Sequence, residues 1–408
     1  MTRLRTAIYM ESREDAGGGF EQALSTIRAL EAAGQEIVVV TPFAETHAAL
    51  ANRAVAALLF RYPAWQRASD TFSASRAGAV MMRALRRAGL RRMGRFFDDF
   101  LARNAIEVVI FNEPAPIARA LGEHHYIVTV WDTCHREWLE FPEVFDGHQF
   151  ELRERIYREI LPRALAVIAN APFGVERIAS LYGVDKHRIA VMPFLPSTAV
   201  RNQAEGRGTV DTDAVRGKYK LDKPFVFYPA QFWAHKNHRY LLEGLALLKS
   251  RFGLELDAAF SGSDKGNRLV VEAQARALGL QDQVHFLGFL PDEEVPALYQ
   301  AATALVMPTY FGPTNLPPLE AALLGCPIVY SDLPEFREEM GEAALYCDLG
   351  HPDSLADLLA KIVQDDGVAS RLKAAGRALG QARLGIAYGD ILAPILESYA
   401  YLKRRWTP

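Results

Sequence analysis

The sequence predicts an α/β fold built from two doubly wound parallel sheets. Short apolar runs alternate with helical patterns along the chain, as βα units require. The alternation stops at a polar interval and starts afresh, which describes two sheets and not one. With 408 residues, half of them hydrophobic, the chain can fill two full-sized cores.

In the first half, Ala7 to Tyr9 reads as a strand, followed by Gly17, Gly18 and Gly19 and a helix from Phe20 to Ala33. Gly34 stops that helix, and Ile37 to Val40 is the next strand. Glycines between a first strand and first helix let a ligand approach the backbone, so Gly18 and Gly19 are candidate contacts. They do not form GxGxxG, and a flexible turn is the other reading. Val108 to Phe111, Ile127 to Val130, Val167 to Asn170 and Ile189 to Phe194 complete the strands of this half.

Two stretches of the first half stand out. Residues 76 to 103 hold Arg76, Arg83, Arg86, Arg87, Arg91, Arg92 and Arg95 before the first acid, Asp98. Arg83, Arg87 and Arg91 share a helical face, so the expectation is either a surface that docks on anionic lipid or a solvated helix face. WDTCHREWLEFPEVF, starting at Trp131, follows a strand's C-terminal end, where open α/β sheets place their sites. Asp132 and His135 are its candidates for acid–base or sugar-hydroxyl work; a polar loop around a core tryptophan is the plainer reading.

Pro196 to Asp222 lacks a sustained apolar period and reads as an interdomain linker. The expected division is 1–205 for the first domain, joined by a returning helix at 386–408, and 206–385 for the second. There, Phe225 to Tyr228 leads into PAQFWAHKNH, a helix from Tyr240 to Lys249, a strand from Leu256 to Phe260, and SGSDKGN. Val284 to Phe286 precedes a turn at Gly288-Phe289 and a helix from Asp292 to Ala301.

Leu305 to Tyr330, LVMPTYFGPTNLPPLEAALLGCPIVY, then reads as strand, loop, helix and strand. Pro317 and Pro318 fit only a first helical turn, Asn315 is placed to cap it, and Gly325 stops it. A strand feeding a helix N-terminus through a polar loop is a ready anion site. Glu320 lies too far along to close a capping box, which frees its carboxylate for other work.

The charge balance, 46 basic against 49 acidic residues and a net −3, gives no field for nucleic acid. Cys134, Cys326 and Cys347 are odd in number and widely spaced, which fits a reducing compartment and no zinc or disulfide framework. MTRLRTAIYMESRE lacks a signal-peptide core, and no apolar run spans a bilayer. The expectation is a cytoplasmic protein that is peripheral, at most, on the inner face of a membrane.

The order YPAQFWAHKNH, FSGSDKGN, VHFLGFLPDEEVPALYQAA and FGPTNLPPLEAALLGCPIV resembles the C-terminal domain of retaining glycosyltransferases of family 4, and the WDTCHREWLEFPE segment of the first half resembles those building bacterial surface polysaccharides. The resemblance is strong from about Phe225 to Leu359 and weaker in the first half. It implies the GT-B architecture, two Rossmann-like domains facing a central cleft. It also implies sugar transfer from a nucleotide-diphosphate donor to a glycan or lipid-linked acceptor hydroxyl, as in O-antigen assembly, without a metal or other cofactor.

Carried over residue by residue, Lys236 matches the lysine that holds the donor diphosphate, and Gln231 stands where its arginine partner is usual. Thr314, Asn315 and Leu316 match the run that meets the diphosphate, and Glu320 the glutamate on the ribose hydroxyls. Gly312 replaces the other glutamate of the pair. Gly262 and the turn at Phe289 match the surroundings of the base. Trp131-Asp132 stands where His-Asp is common, with His135 as a stand-in. The implied catalytic set is Lys236, Asp132 and His135. A sugar-nucleotide epimerase or phosphorylase is the alternative enzyme, and a non-catalytic sugar-nucleotide or partner binder is the alternative of another class. A dinucleotide dehydrogenase lacks its GxGxxG.

Overall fold

The strands form where β-rich apolar runs are long enough to be covered on both faces, and the runs are short because each strand crosses a two-sided layer once. A computed structural model describes residues 4–12, 18–62, 95–208, 210–312 and 315–406. Thr314 and the arginines of the basic stretch before Arg95 lie outside the described residues. Contacts divide the chain into two units. One comprises Met1–Trp131, Glu151–Met192 and Ala387–Pro408, and the other Asp132–Phe150 and Pro193–Ile386.

The first unit holds β1 (Arg5–Tyr9), β2 (Glu36–Thr41), β3 (Ala57–Leu59), β4 (Val108–Phe111), β5 (His125–Val130), β6 (Ala166–Ala169) and β7 (Ile189–Val191). They form a parallel sheet in the order β3-β2-β1-β4-β5-β6-β7. The second unit holds β8 (Phe225–Pro229), β9 (Asp257–Ser261), β10 (Val284–Gly288), β11 (Ala304–Met307), β12 (Ile328–Ser331) and β13 (Leu345–Cys347). Their order is β10-β9-β8-β11-β12-β13, again parallel. Both sheets reverse direction once, between β1 and β4 and between β8 and β11. Crevices at such reversals, outside the strands' C-terminal ends, are where open α/β sheets bind ligands.

Residues 196–222 are not a linker. Thr198–Ala204 and Thr212–Lys218 are short helices of the second unit. Asp211 caps the latter by accepting from the N–H groups of Asp213 (2.9 Å) and Ala214 (3.3 Å). Val200, Val215 and Leu221 are buried in the second unit's core. Each helix is too brief to show an apolar period, so the interval looked unstructured. The division accordingly falls at 192/193, earlier than the expected 205/206.

The helix Tyr388–Lys403 belongs to the first unit. The Tyr388 hydroxyl donates to Gln22 Oε1 (2.9 Å) on the Gly18–Ala32 helix. Lys403 Nζ lies 2.8 Å from Glu107 Oε1. A Cβ at Gly389 would stand 3.0 Å from the Ala33 methyl, so the crossing depends on that glycine. Among the described residues, no helix is long and apolar enough to cross a membrane.

Candidate functional site

The loops leaving β8 and β11 carry most of the residues singled out in the second half. After β8 the chain turns through Ala234–Lys236 and enters the helix His238–Phe252 from Asn237, whose φ is +55°. Gly262, after β9, has φ +139°, and a Cβ there would lie 2.5 Å from the Ala230 carbonyl oxygen. Only glycine lets the two loops lie this close.

Lys236 Nζ donates to Asn315 Oδ1 at 3.0 Å. Asn315 occupies the N-cap position of the helix Leu316–Leu324, as expected, but its side chain makes no cap bond. Its amide nitrogen donates to the Tyr330 hydroxyl (2.7 Å) and to the Gly312 carbonyl. Asn315 is therefore a bridge between Lys236 and β12. Of the first four helical residues only Leu316 and Leu319 carry an N–H, because Pro317 and Pro318 have none. The positive character of this helix end thus leans on Lys236 as well as on the dipole. Burial pushes the Lys236 ammonium down to about 8, against the opposing pull of Cys134, Asp132 and Glu143.

Gly312 has φ +99°, a region that side-chain-bearing residues rarely adopt. A Cβ there would also stand 3.1 Å from Asn315 Oδ1. The missing glutamate at this position thus has a backbone explanation.

Glu320 is buried. Its Oε1 accepts from the Ser197 N–H (3.1 Å) and its Oε2 from the Tyr299 hydroxyl (3.0 Å). Burial raises its pKa against the lowering by Ser197 and Tyr299. Both oxygens are already in use, and a sugar hydroxyl would share them through the remaining lone pairs. Gln231 Oε1 accepts from Trp233 Nε1 (3.0 Å), which ties it within its own loop. Phe289 stands 61% exposed just after β10.

The stretch after Trp131 departs from expectation. Asp132 to Phe150 groups with the second unit, although its sequence neighbours on both sides belong to the first. Asp132 Oδ1 accepts from the Cys134 N–H (3.0 Å), closing a turn. His135 is fully buried, with its ring 5.9 Å from that of Phe150. At Gly19, a Cβ would stand 2.7 Å from the Trp131 indole and 3.1 Å from Ser12 Oγ. The close approach that this glycine permits is that of the tryptophan. Gly18 opens the helix.

Three residues that sequence reasoning passed over belong to the site. The His235 ring stacks on Phe311 at 3.9 Å and 14°. Glu143 accepts from the His235 backbone N–H (2.9 Å) and pairs with its Nδ1. Burial, with Lys236 adding to it, pushes His235 down to about 4. Burial alone would raise Glu143, but the hydrogen bonds from His235 outweigh it and hold the carboxyl below its usual range. The only trace in the sequence was the His–Lys dipeptide; nothing pointed to Glu143, 92 residues earlier.

Residues 16–194 match Glycosyltransferase Family 4, and residues 211–379 match Glycosyl transferases group 1. The chain belongs to the family-4-type glycosyltransferases of GT-B fold. Members of this family transfer sugars with retention. It is 28% identical to an O-antigen chain mannosyltransferase B of Escherichia coli over 67% of this chain and 68% of that one. It is 23% identical to a mannosylfructose-phosphate synthase of Agrobacterium fabrum over 66% and 63%. A Corynebacterium urealyticum D-inositol 3-phosphate glycosyltransferase matches at 26% over 54% of each chain, so the matches span about half to two thirds of these relatives. Among solved structures, Anabaena HepE, crystallised with UDP-glucose, superposes with a TM-score of 0.70 at 16% identity over 98% of this chain and 100% of that one. A Rickettsia africae glycosyltransferase gives 0.70 at 13% over 98% of each.

Proposed function

We propose that this glycosyltransferase moves a sugar from a nucleoside-diphosphate donor to an acceptor hydroxyl, with retention, in the assembly of a bacterial surface polysaccharide such as O-antigen. The observation that carries this reading is Lys236 Nζ, 3.0 Å from Asn315 Oδ1 at the start of the Leu316–Leu324 helix. A half-buried cation beside a helix N-terminus at a strand-order reversal suits an anionic group. The O-antigen named for the Escherichia coli relative and the UDP-glucose bound to the Anabaena protein support the class of product and donor.

In this reading Lys236, Thr314, Asn315 and Leu316 receive the diphosphate, Glu320 shares its oxygens with the ribose, and Gly262 and Phe289 border the base. The bond between the anomeric carbon and the diphosphate oxygen breaks, and positive charge develops on the sugar ring. The acceptor hydroxyl attacks from the same face, and its proton passes to the leaving phosphate. Lys236 stabilises the charge that builds on that phosphate, so the step runs without a resident metal. Asp132 acts through its charge, which raises the proton affinity of Lys236. Gly18 and Gly19 shape the first unit's edge for the acceptor. The basic residues from Arg76 to Arg95 hold the protein on an anionic inner membrane face, near a lipid-linked acceptor.

A thermal-shift screen of nucleotides and sugar nucleotides with EDTA present tests the donor reading. A rise with nucleoside diphosphates supports it, since ligands of the folded state raise the melting temperature. No response to any of them sinks it. Serine at Arg83, Arg87 and Arg91 should reduce sedimentation with anionic liposomes at low salt; unaltered sedimentation removes the membrane role.

A further inference from the structure

Glu143 has no place in the transfer chemistry, yet it is built into the donor site. It follows Pro142 in a single helical turn, Pro142–Phe145, whose preceding Phe141 is extended. Its side chain is 9% exposed and that of His235 is 10% exposed. The carboxylate meets His235 twice, at the backbone N–H and at Nδ1. Because burial keeps the imidazole neutral, its Nδ1 carries the proton and donates.

What His235 touches gives the pair its consequence. The His235 carbonyl accepts from the Tyr310 N–H (2.9 Å) and the Thr309 hydroxyl (3.3 Å). Its ring lies flat on Phe311, the residue before Gly312. Phe311 packs with Cys134 and Val144, and Phe141 closes over it at 5.5 Å. On the other side of His235 in sequence is Lys236, whose carbonyl accepts from the Tyr228 hydroxyl (2.8 Å). One residue thus joins the loop that carries Lys236 to the loop that carries Gly312 and Asn315, and Glu143 fixes that residue.

We propose that Glu143 is a positioning residue for the diphosphate: by holding His235 it keeps Lys236 and Asn315 in the register that receives the two phosphates. This rests on the donor reading above. A residue that acts through His235 matters here because positional errors of about 1 Å can cost roughly a hundredfold in rate. The Lys236–Asn315 contact has no covalent route shorter than 79 residues to set it. Its spacing depends on the packing that Glu143 and Phe311 provide.

Calorimetry on the full chain with UDP and GDP, and with UMP and GMP, tests this. Losing a buried hydrogen bond to a charged group corresponds to roughly a ten- to hundredfold change. Glu143→Ala should weaken the nucleoside diphosphate that the wild type binds by about tenfold, while the matching monophosphate binds as before. Glu143→Gln, whose carbonyl oxygen can still accept from both His235 groups, should stay within about threefold of wild type. If Glu143→Ala does not fold, Glu143→Asp carries the test. Its carboxylate, drawn back by one methylene, cannot meet both groups, so the loss should again be confined to the diphosphate. Wild-type affinity for the diphosphate in a folded Ala or Asp variant overturns the proposal, and so does an equal loss for mono- and diphosphate. A wild type that binds neither UDP nor GDP overturns the donor reading first and this proposal with it.

Discussion

Where strand order reverses in the first unit, the chain places Glu11, Ser12 and Glu113; where it reverses in the second, it places His235, Lys236 and Asn315. In the first, the Tyr9 hydroxyl donates to Glu11 Oε1 (2.8 Å), Tyr62 joins the same carboxylate (3.3 Å), and Ser12 donates to Glu113 (3.4 Å). Burial raises the Glu113 pKa, and the nearby Glu11 raises it further. In the second, the lysine and the asparagine amide face each other without an intervening carboxylate. The two sheets reverse their strand order in the same way, yet the first edge turns carboxylates toward hydroxyls and the second sets a lysine against an amide. The lesson is that topology chooses the place and loop side chains choose the ligand. In the proposed reading a diphosphate sits at the second edge, and the hydroxyls of an acceptor, which donate to carboxylates, suit the first.

The comparison breaks most visibly at Lys236. Lys236→Ala should lower turnover about a hundred- to a thousandfold, the range for removing one charge-stabilising donor. Donor affinity should fall less, because the charge it meets is largest in the transition state. Single-turnover rates set against calorimetric Kd values check this. An equal loss in both would make Lys236 a plain binding residue.

Gly312→Glu supplies the carboxylate that the family resemblance implies at this position and would bring the second edge closer to the first. It should cost about 2 kcal/mol of stability, since an L side chain at φ +99° is strained and its Cβ crowds Asn315. The midpoint of urea unfolding measures this, and an unchanged midpoint would mean the loop rearranges freely.

The lysine also sets a pH signature that the first edge lacks. With the ammonium pushed down to about 8, diphosphate affinity should be greatest below pH 8 and fall by up to roughly tenfold per unit above it. Lys236→Met should flatten that profile. Folding carries the opposite sign. A lysine whose folded value lies below its unfolded 10.5 binds fewer protons when folded, so its burden on stability is present below pH 8 and lifts between 8 and 10.5.

Much of this was legible in the sequence, for physical reasons. Parallel strands buried on both faces print as apolar runs, and the two prolines with Gly325 printed the Leu316–Leu324 helix. Asn315 was found as the candidate cap ahead of two prolines, and Lys236 through the resemblance of its loop to that of the family. Their mutual bond was not, since it joins two loops 79 residues apart. The contacts of Asp132 to Phe150 were hidden for the same reason. Nothing in FPEVF says that Glu143 lies against His235. Gly312 was read as a loss, and only its backbone angle shows a conformation that a glutamate would strain.

The smallest expected effect sharpens the acidic side. Glu113 has a folded pKa above its unfolded value, so its ionisation works against folding. The stability it contributes is full below the unfolded value near 4.5 and is lost as pH rises through the raised one. Glu113→Gln removes the charge and keeps an acceptor for the Ser12 hydroxyl. At pH 7 it should be neutral or stabilising by less than about 1 kcal/mol, against the destabilisation most substitutions bring. Diphosphate affinity should not move, because this edge does not receive the phosphates. Denaturant midpoints at pH 4 and pH 7 test the first expectation, and the gain should be confined to pH 7. A gain of equal size at both would trace the effect to packing, and a changed diphosphate Kd would mean the two edges are not divided by ligand as their charges indicate.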